Sequence, residues 1–157
     1  MDLKFIDKNS KQLVLFDMDG VVAEYVSGEE KLIVDEIPNV YSRKRPLKSI
    51  ISIAENLQAN ENITVGILSS CEHLSQIKEK QDWLALHMPF LDKTQIHIIP
   101  WCDGKYTRET RKFAKLDLIK TITGYDKIFL IEDKHDIIKA TNQAIPGTAH
   151  HISELID

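Results

Sequence analysis

The sequence predicts an α/β domain on a mainly parallel, five-stranded sheet, and three observations carry that expectation. Short apolar runs alternate with longer stretches of helical apolar spacing. The runs are close to continuously apolar, which is how strands buried on both faces of a parallel sheet read. Polar residues, most of them acidic, follow directly on three of the runs.

The first run, Leu13 to Phe16, ends at Asp17-Met18-Asp19-Gly20, as a buried strand ends in a turn. Residues 21–44 are irregular and mixed, and read as a flap or minimal cap inserted in a single 1–157 domain. Pro46 then stands where a helix start tolerates proline. Leu47, Ile50, Ile51, Ala54 and Leu57 follow at helical spacing. Ile63 to Leu68 is the second strand, ending at Ser69-Ser70. A helix is expected from about Glu72 to His87, with Leu74, Ile77, Trp83, Leu84 and Leu86 as its apolar positions. Ile96 to Ile99 is the third strand, and Phe113 to Ile122 the next helix. Ile128 to Ile131 is the fourth strand, ending at Glu132-Asp133. Ile137 to Ala144 is helical, Thr148 to His151 is a short last strand, and a helical turn closes the chain.

Composition narrows the function classes. With 157 residues, 43% hydrophobic and 28% charged, the chain is one ordinary globular domain. No run approaches the roughly 20 apolar residues of a membrane span, and the N-terminus lacks the apolar stretch of a secretory signal. Cys71 and Cys102 form neither a disulfide framework nor a metal-ligand spacing. These features point to a cytoplasmic protein. A net charge of −4 gives no global case for nucleic-acid binding, although Arg43-Lys44-Arg45 is a local basic run.

In parallel α/β sheets, ligands bind beyond the carboxyl ends of the strands. That rule gathers Asp17, Asp19, Ser69, Ser70, Glu132 and Asp133 at one rim. Carboxylates gathered so closely repel unless a cation sits among them. Oxygen-only ligands suit Mg²⁺, and the His and Cys ligands expected for zinc are lacking. A carboxylate can also serve as a nucleophile, and a second one nearby as general acid and base. A hydroxyl such as Ser69 and a lysine would hold phosphoryl oxygens.

Three segments together resemble the haloacid dehalogenase-like (HAD) superfamily. Leu15-Phe16-Asp17-Met18-Asp19-Gly20-Val21-Val22 is similar to its first motif, and Val65-Gly66-Ile67-Leu68-Ser69-Ser70 to its second. Phe129-Leu130-Ile131-Glu132-Asp133 is similar to its fourth. The resemblance implies a Rossmann-like three-layer core and a Mg²⁺-dependent phosphatase. Asp17 would be nucleophile and metal ligand. Asp19 would be general acid/base, with its backbone carbonyl on the metal. Ser69, with Ser70 beside it, would hold the phosphoryl group. Asp133 would complete the Mg²⁺ site with Glu132 nearby or bound through water. The family lysine best matches Lys115, with Lys105 as the competitor.

A finer resemblance, to the 5'(3')-deoxyribonucleotidases, rests on Asp17 to Val21, on Lys78 to Ile99 with Lys80, Trp83 and His87, and on Leu130 to Lys134. It implies a nucleotide substrate. The chain has Glu132-Asp133 where that family has Asp-Asp, and only the 21–44 segment where it has a helical cap. A small flap leaves the site open to a bulky substrate such as a nucleic-acid end, or to a second subunit supplying a lid in a homo-oligomer.

Plainer roles compete. Asp17 and Asp19 suit a turn, Ser69 a helix cap, and Glu132, Asp133 and Asp136 a helix N-terminus. Arg43-Lys44-Arg45 reads as a solvated run, Trp83 and Trp101 as packing residues, and Cys71 as a small packing residue. His150 and His151 carry no assigned chemistry. A receiver-like phosphoacceptor module would need its aspartate after the third strand, where Pro100-Trp101-Cys102 stands and Asp103 is the first carboxylate. A catalytically silent phosphate-binding protein would use the same groups. A phosphomutase would need a cap to exclude water.

Overall fold

The computed structural model describes residues 3–26 and 40–156. Most of the 21–44 segment expected as a flap, residues 27–39, therefore lies outside the described residues. Five strands form one sheet: β1 (Gln12–Phe16), β2 (Ile63–Cys71), β3 (Ile96–Pro100), β4 (Lys127–Glu132) and β5 (Ala149–His151). Their order is β3-β2-β1-β4-β5 and every pairing is parallel. The helices are α1 (Lys48–Gln58), α2 (Ser75–His87), α3 (Ala114–Ile119) and α4 (His135–Ala144).

The period-two geometry of a strand sorts the core into two halves. Val14 and Phe16 of β1 point to one face, with Val65, Ile67, Phe129 and Ile131; Ile50 and Ala54 of α1 and Trp83 and Leu84 of α2 cover it. Leu13 and Leu15 point to the other face, with Leu68 and Leu130; Ile119 of α3 and Ile137 of α4 cover that one. The result is three layers with β1 at the centre, all five of its residues buried. Each fully buried side chain of the size of Leu15 or Phe16 stabilises the fold by about 1.5–3 kcal/mol.

Several boundaries differ from expectation, each for a local reason. β2 runs on through Ser69-Ser70 to Cys71, because β3 continues to pair with it there, Cys71 opposite Pro100. The helix expected from Glu72 begins only at Ser75. Gln76 bends back to accept from the backbone N–H of Glu72 and His73, which uses up the preceding turn. Leu74 and Leu86, expected in the core, are 64% and 75% exposed, and the buried face of α2 is Lys80, Trp83 and Leu84. The helix expected from Phe113 to Ile122 is shorter, with a 3₁₀ turn over Arg111–Phe113 leading into α3.

The segment after β1 leaves and returns at one place. Leu47 N–H donates to Val22 O at 2.8 Å, and Glu24 N–H to Arg45 O at 2.9 Å. These bonds close the base of the excursion and bring Tyr41 and Lys44 over the carboxyl end of the sheet.

Candidate active site

Relative strand length builds the rim. Phe16, the last residue of β1, pairs with Ile67, so β2 outruns β1 and holds Ser69 level with the turn that follows Phe16. Asp17 N–H continues the ladder to Ile131 O at 3.0 Å. Met18 O then accepts from the N–H groups of Val21, Val22 and Ala23 at 2.9–3.1 Å. This tight turn sends Asp17 and Asp19 to the same rim. Gly20 makes the turn with φ +81°, and a Cβ there would lie 2.3 Å from Asp133 Oδ2. Only glycine meets both demands.

Asp17 is 5% exposed. Lys115 reaches it from the first turn of α3, Nζ to Oδ1 2.9 Å, and reaches Glu132 Oε2 at 2.6 Å. Burial, then the Glu132 carboxylate, push the Asp17 carboxyl up to about 6, against the opposing pull of Lys115. Burial alone would lower the Lys115 ammonium, but Asp17 and Glu132 outweigh it and hold it above its ordinary range.

Asp17, Glu132 and Asp133 each place a carboxylate oxygen within 4.8 Å of the others, a set that could hold a metal ion. Both Glu132 oxygens are engaged already: Oε2 by Lys115, Oε1 by the backbone N–H of Asp133 and Lys134 at 3.0 and 3.1 Å. Asp133 Oδ1, in contrast, is buried with no partner among the described residues. An orphaned buried oxygen on one member of an all-carboxylate set fits a hard cation such as Mg²⁺.

A second cluster surrounds Asp19. Its Oδ2 accepts from Lys80 Nζ at 2.8 Å. Its Oδ1 accepts from Tyr41 OH at 2.9 Å and pairs with Lys44. Burial acts to raise the Asp19 carboxyl, but Lys80 and Lys44 prevail and hold it well below the usual carboxylate range. Lys80 also donates to Ser69 Oγ and to Ser70 O, each at 2.8 Å, so its three N–H donors have three acceptors. Trp83 Nε1 donates to Lys44 O at 3.0 Å, and the Trp83 ring meets Tyr41 edge-on, fixing the return of the chain over the site.

Asp17, Asp19, Ser69, Ser70, Lys80 and Lys115 line one cleft. Lys105 does not line it; its ammonium lies 5.3 Å from the Tyr106 ring centre. The basic run is not uniformly solvated: Arg43 and Arg45 are exposed, but Lys44 is buried against Asp19, because the closed base of the excursion turns it inward. Trp83 is a packing residue, whereas Trp101 lines the cleft. Asp136 accepts from Ile137 N–H in the first turn of α4. Asp103, the carboxylate after β3, is exposed and outside the cleft lining. Cys71 is buried, and burial pushes its thiol up to about 11.

Lys80, Lys44 and Tyr41 are absent from the site expected from sequence. One signal could have found Lys80: it sits three and four residues before Trp83 and Leu84, a core position on its helix that is an odd place for an unpaired lysine.

No family model matches this sequence, and no curated protein does. In structure, the chain is similar to one in the solved Pnkp1/Rnl/Hen1 RNA repair complex, with a TM-score of 0.64 at 15% identity. The match covers 92% of this chain and 43% of that one, and it shows the α/β fold. No helix among the described residues is long and apolar enough to cross a membrane.

Proposed function

We propose that this protein is a HAD-like, Mg²⁺-dependent phosphatase that hydrolyses a phosphomonoester through an aspartyl-phosphate on Asp17. The observation that carries the reading is the meeting, in one cleft, of the buried Asp17 carboxylate with Asp19 two residues on and with the donors Ser69 and Lys80. Asp17 and Asp133 would hold the Mg²⁺ ion, aided by the Asp19 backbone carbonyl. When bound, the ion offsets repulsion between the Asp17 carboxylate and the phosphoryl oxygens.

Asp17 attacks phosphorus, a new O–P bond forms, and the ester P–O bond breaks. The departing alkoxide takes a proton from Asp19 and leaves as an alcohol. Water then attacks the same phosphorus, gives its proton to Asp19, and releases the Asp17 carboxylate with inorganic phosphate. Asp19 must be protonated for the first step, although in the free protein Lys44 and Lys80 hold it ionised. Phosphoryl oxygens that draw Lys80 away remove one of those two cations and so ease protonation, with Lys44 and Tyr41 remaining on Asp19 Oδ1. Ser69 and Lys80 thus bind the phosphoryl group, and Ser70 contributes its backbone carbonyl to positioning Lys80. Lys115, held between Asp17 and Glu132 and lining the same cleft, would bind the phosphoryl group beside Lys80.

The test is phosphate release from aryl phosphate, sugar phosphates, nucleoside monophosphates and phosphorylated oligonucleotides, with Mg²⁺ and with EDTA. Similarity to a chain in an RNA repair complex adds weight to including the oligonucleotides. Release that requires Mg²⁺ and vanishes in Asp17→Asn is expected. Release that persists in a folded Asp17→Asn protein removes Asp17 as the nucleophile.

A further inference from the structure

Beside the cleft, the segment from Trp101 to Phe113 departs from the acidity of the whole. It carries Lys105, Arg108, Arg111 and Lys112 against Asp103 and Glu109, in a chain of net charge −4. Trp101 lines the cleft that holds Asp17 and Lys80. The Arg111 guanidinium lies 4.4 Å from the centre of the Trp101 ring, and its Nη1 is 3.5 Å from Glu72 Oε1, a long and weak contact. Two buried donors in this pair, Trp101 Nε1 and Arg111 Nε, have no acceptor among the described residues. Buried donors without partners are rare, and none of the hydrolytic steps uses either of them. Lys105, Arg108 and Lys112 are exposed and stand outside the cleft lining.

We propose that this segment binds the strand carrying the phosphate, so that the substrate is the phosphorylated end of a single-stranded nucleic acid. The inference rests on the phosphatase reading for what happens to the end group, but strand binding stands apart from it. With the terminal phosphate at Ser69 and Lys80, the neighbouring base meets the Trp101–Arg111 pair, where an indole and a guanidinium offer the stacking faces that single strands use. A base inside a duplex has both faces occupied and gains nothing there. Lys105, Arg108 and Lys112 then meet phosphates further along the strand. That last placement separates a polymer from a free mononucleotide: a mononucleotide filling the cleft does not extend to cations outside it. A merely solvated basic loop would explain the exposed charges, but not an arginine stacked on an indole at the lining of the cleft.

The test uses the full chain with fluorescein-labelled, unphosphorylated single-stranded DNA and RNA oligonucleotides, followed by anisotropy across a salt series. In parallel, kcat/KM is measured for oligonucleotides phosphorylated at the 5' or the 3' end, for mononucleotides and for aryl phosphate. Binding is expected, and Arg108→Ala/Lys112→Ala should flatten the log–log salt dependence by about 1.4, the loss of two single-strand phosphate contacts. Trp101→Ala should weaken binding about fivefold or more, the lower range for loss of one stacked base. Phosphorylated strand ends should exceed mononucleotides in kcat/KM, and both variants should shrink that ratio. No strand binding, an unchanged salt slope in the double variant, or equal turnover of strand ends and mononucleotides overturns the inference. Wild-type aryl phosphate hydrolysis alongside any of those results leaves the phosphatase reading standing. Strand binding without hydrolysis of any compound does the reverse.

Discussion

A Cβ on Gly20 would stand 2.3 Å from Asp133 Oδ2, so the turn after β1 and the loop after β4 interlock at the candidate metal site. Gly20 also has φ +81°, where an L side chain costs roughly 1–2 kcal/mol. Gly20→Ala should therefore lower stability by about that amount and push Asp133 out of place. The expected signature is a fall in Mg²⁺ affinity by calorimetry that exceeds what the stability loss explains. Unchanged Mg²⁺ affinity would show that Asp133 is not a ligand.

Asp17 should cost the metal-free protein stability at neutral pH. Its carboxyl is raised from 3.8 to about 6 by burial and by Glu132. Below pH 4, folded and unfolded chains both hold the proton, and there is no penalty. Between pH 4 and 6 the unfolded chain ionises first, and stability falls; above pH 6 the penalty is complete, on the order of 3 kcal/mol. In EDTA, urea denaturation of Asp17→Asn should show a more stable protein at pH 7 than wild type, with the two converging at pH 4. Equal stability at both pH values would mean that Asp17 is not held under electrostatic strain.

Lys80 bridges Asp19 Oδ2, Ser69 Oγ and Ser70 O at 2.8 Å each. Removing a donor aimed at transition-state charge costs about 10²–10³ in kcat. Lys80→Met should show that loss on aryl phosphate, with Lys80→Arg recovering part of it. Lys105→Met, by comparison, removes a lysine outside the cleft and should leave aryl phosphate kcat within about twofold, as surface substitutions do. Equal losses in Lys80→Met and Lys105→Met would take Lys80 out of the phosphate site.

The sheet was legible in the sequence because burial on both faces leaves a plain mark. Leu13 to Phe16 and Ile128 to Ile131 could hardly be anything but inner strands, and the rim residues followed from where those strands end. What hid was anything held by long-range contact. Lys44 sits between two exposed arginines in sequence, and only the pairing of residues 22–24 with 45–47 turns it onto Asp19. Tyr41 joins the site by the same return of the chain. Leu74 and Leu86 carried an apolar signal that tertiary packing did not use, since Leu74 falls before the start of α2 and the helix spends its buried face on Lys80, Trp83 and Leu84. Trp101 could be read as packing because nothing local tells an indole in the core from one at the lip of a cleft.

Lys115 is the cation that makes the metal-free site foldable. It is 3% exposed, 2.9 Å from Asp17 and 2.6 Å from Glu132. Lys115→Met keeps much of its volume but leaves two buried carboxylates without a positive partner. Breaking a buried pair in this way costs about 3–5 kcal/mol. Adding Glu132→Gln removes one of the stranded charges and leaves an amide oxygen that can still accept from Asp133 and Lys134 N–H, so Lys115→Met/Glu132→Gln should regain a large part of the loss. Mg²⁺ should restore the single variant more than the double, because an added cation gains most where unpaired carboxylates are most numerous. Denaturation midpoints for the wild type and both variants, each with EDTA and with Mg²⁺, give all of these quantities. A Lys115→Met protein as stable as wild type in EDTA would mean that the carboxylates release their charge by protonation, and that Lys115 acts on Asp17 only during turnover.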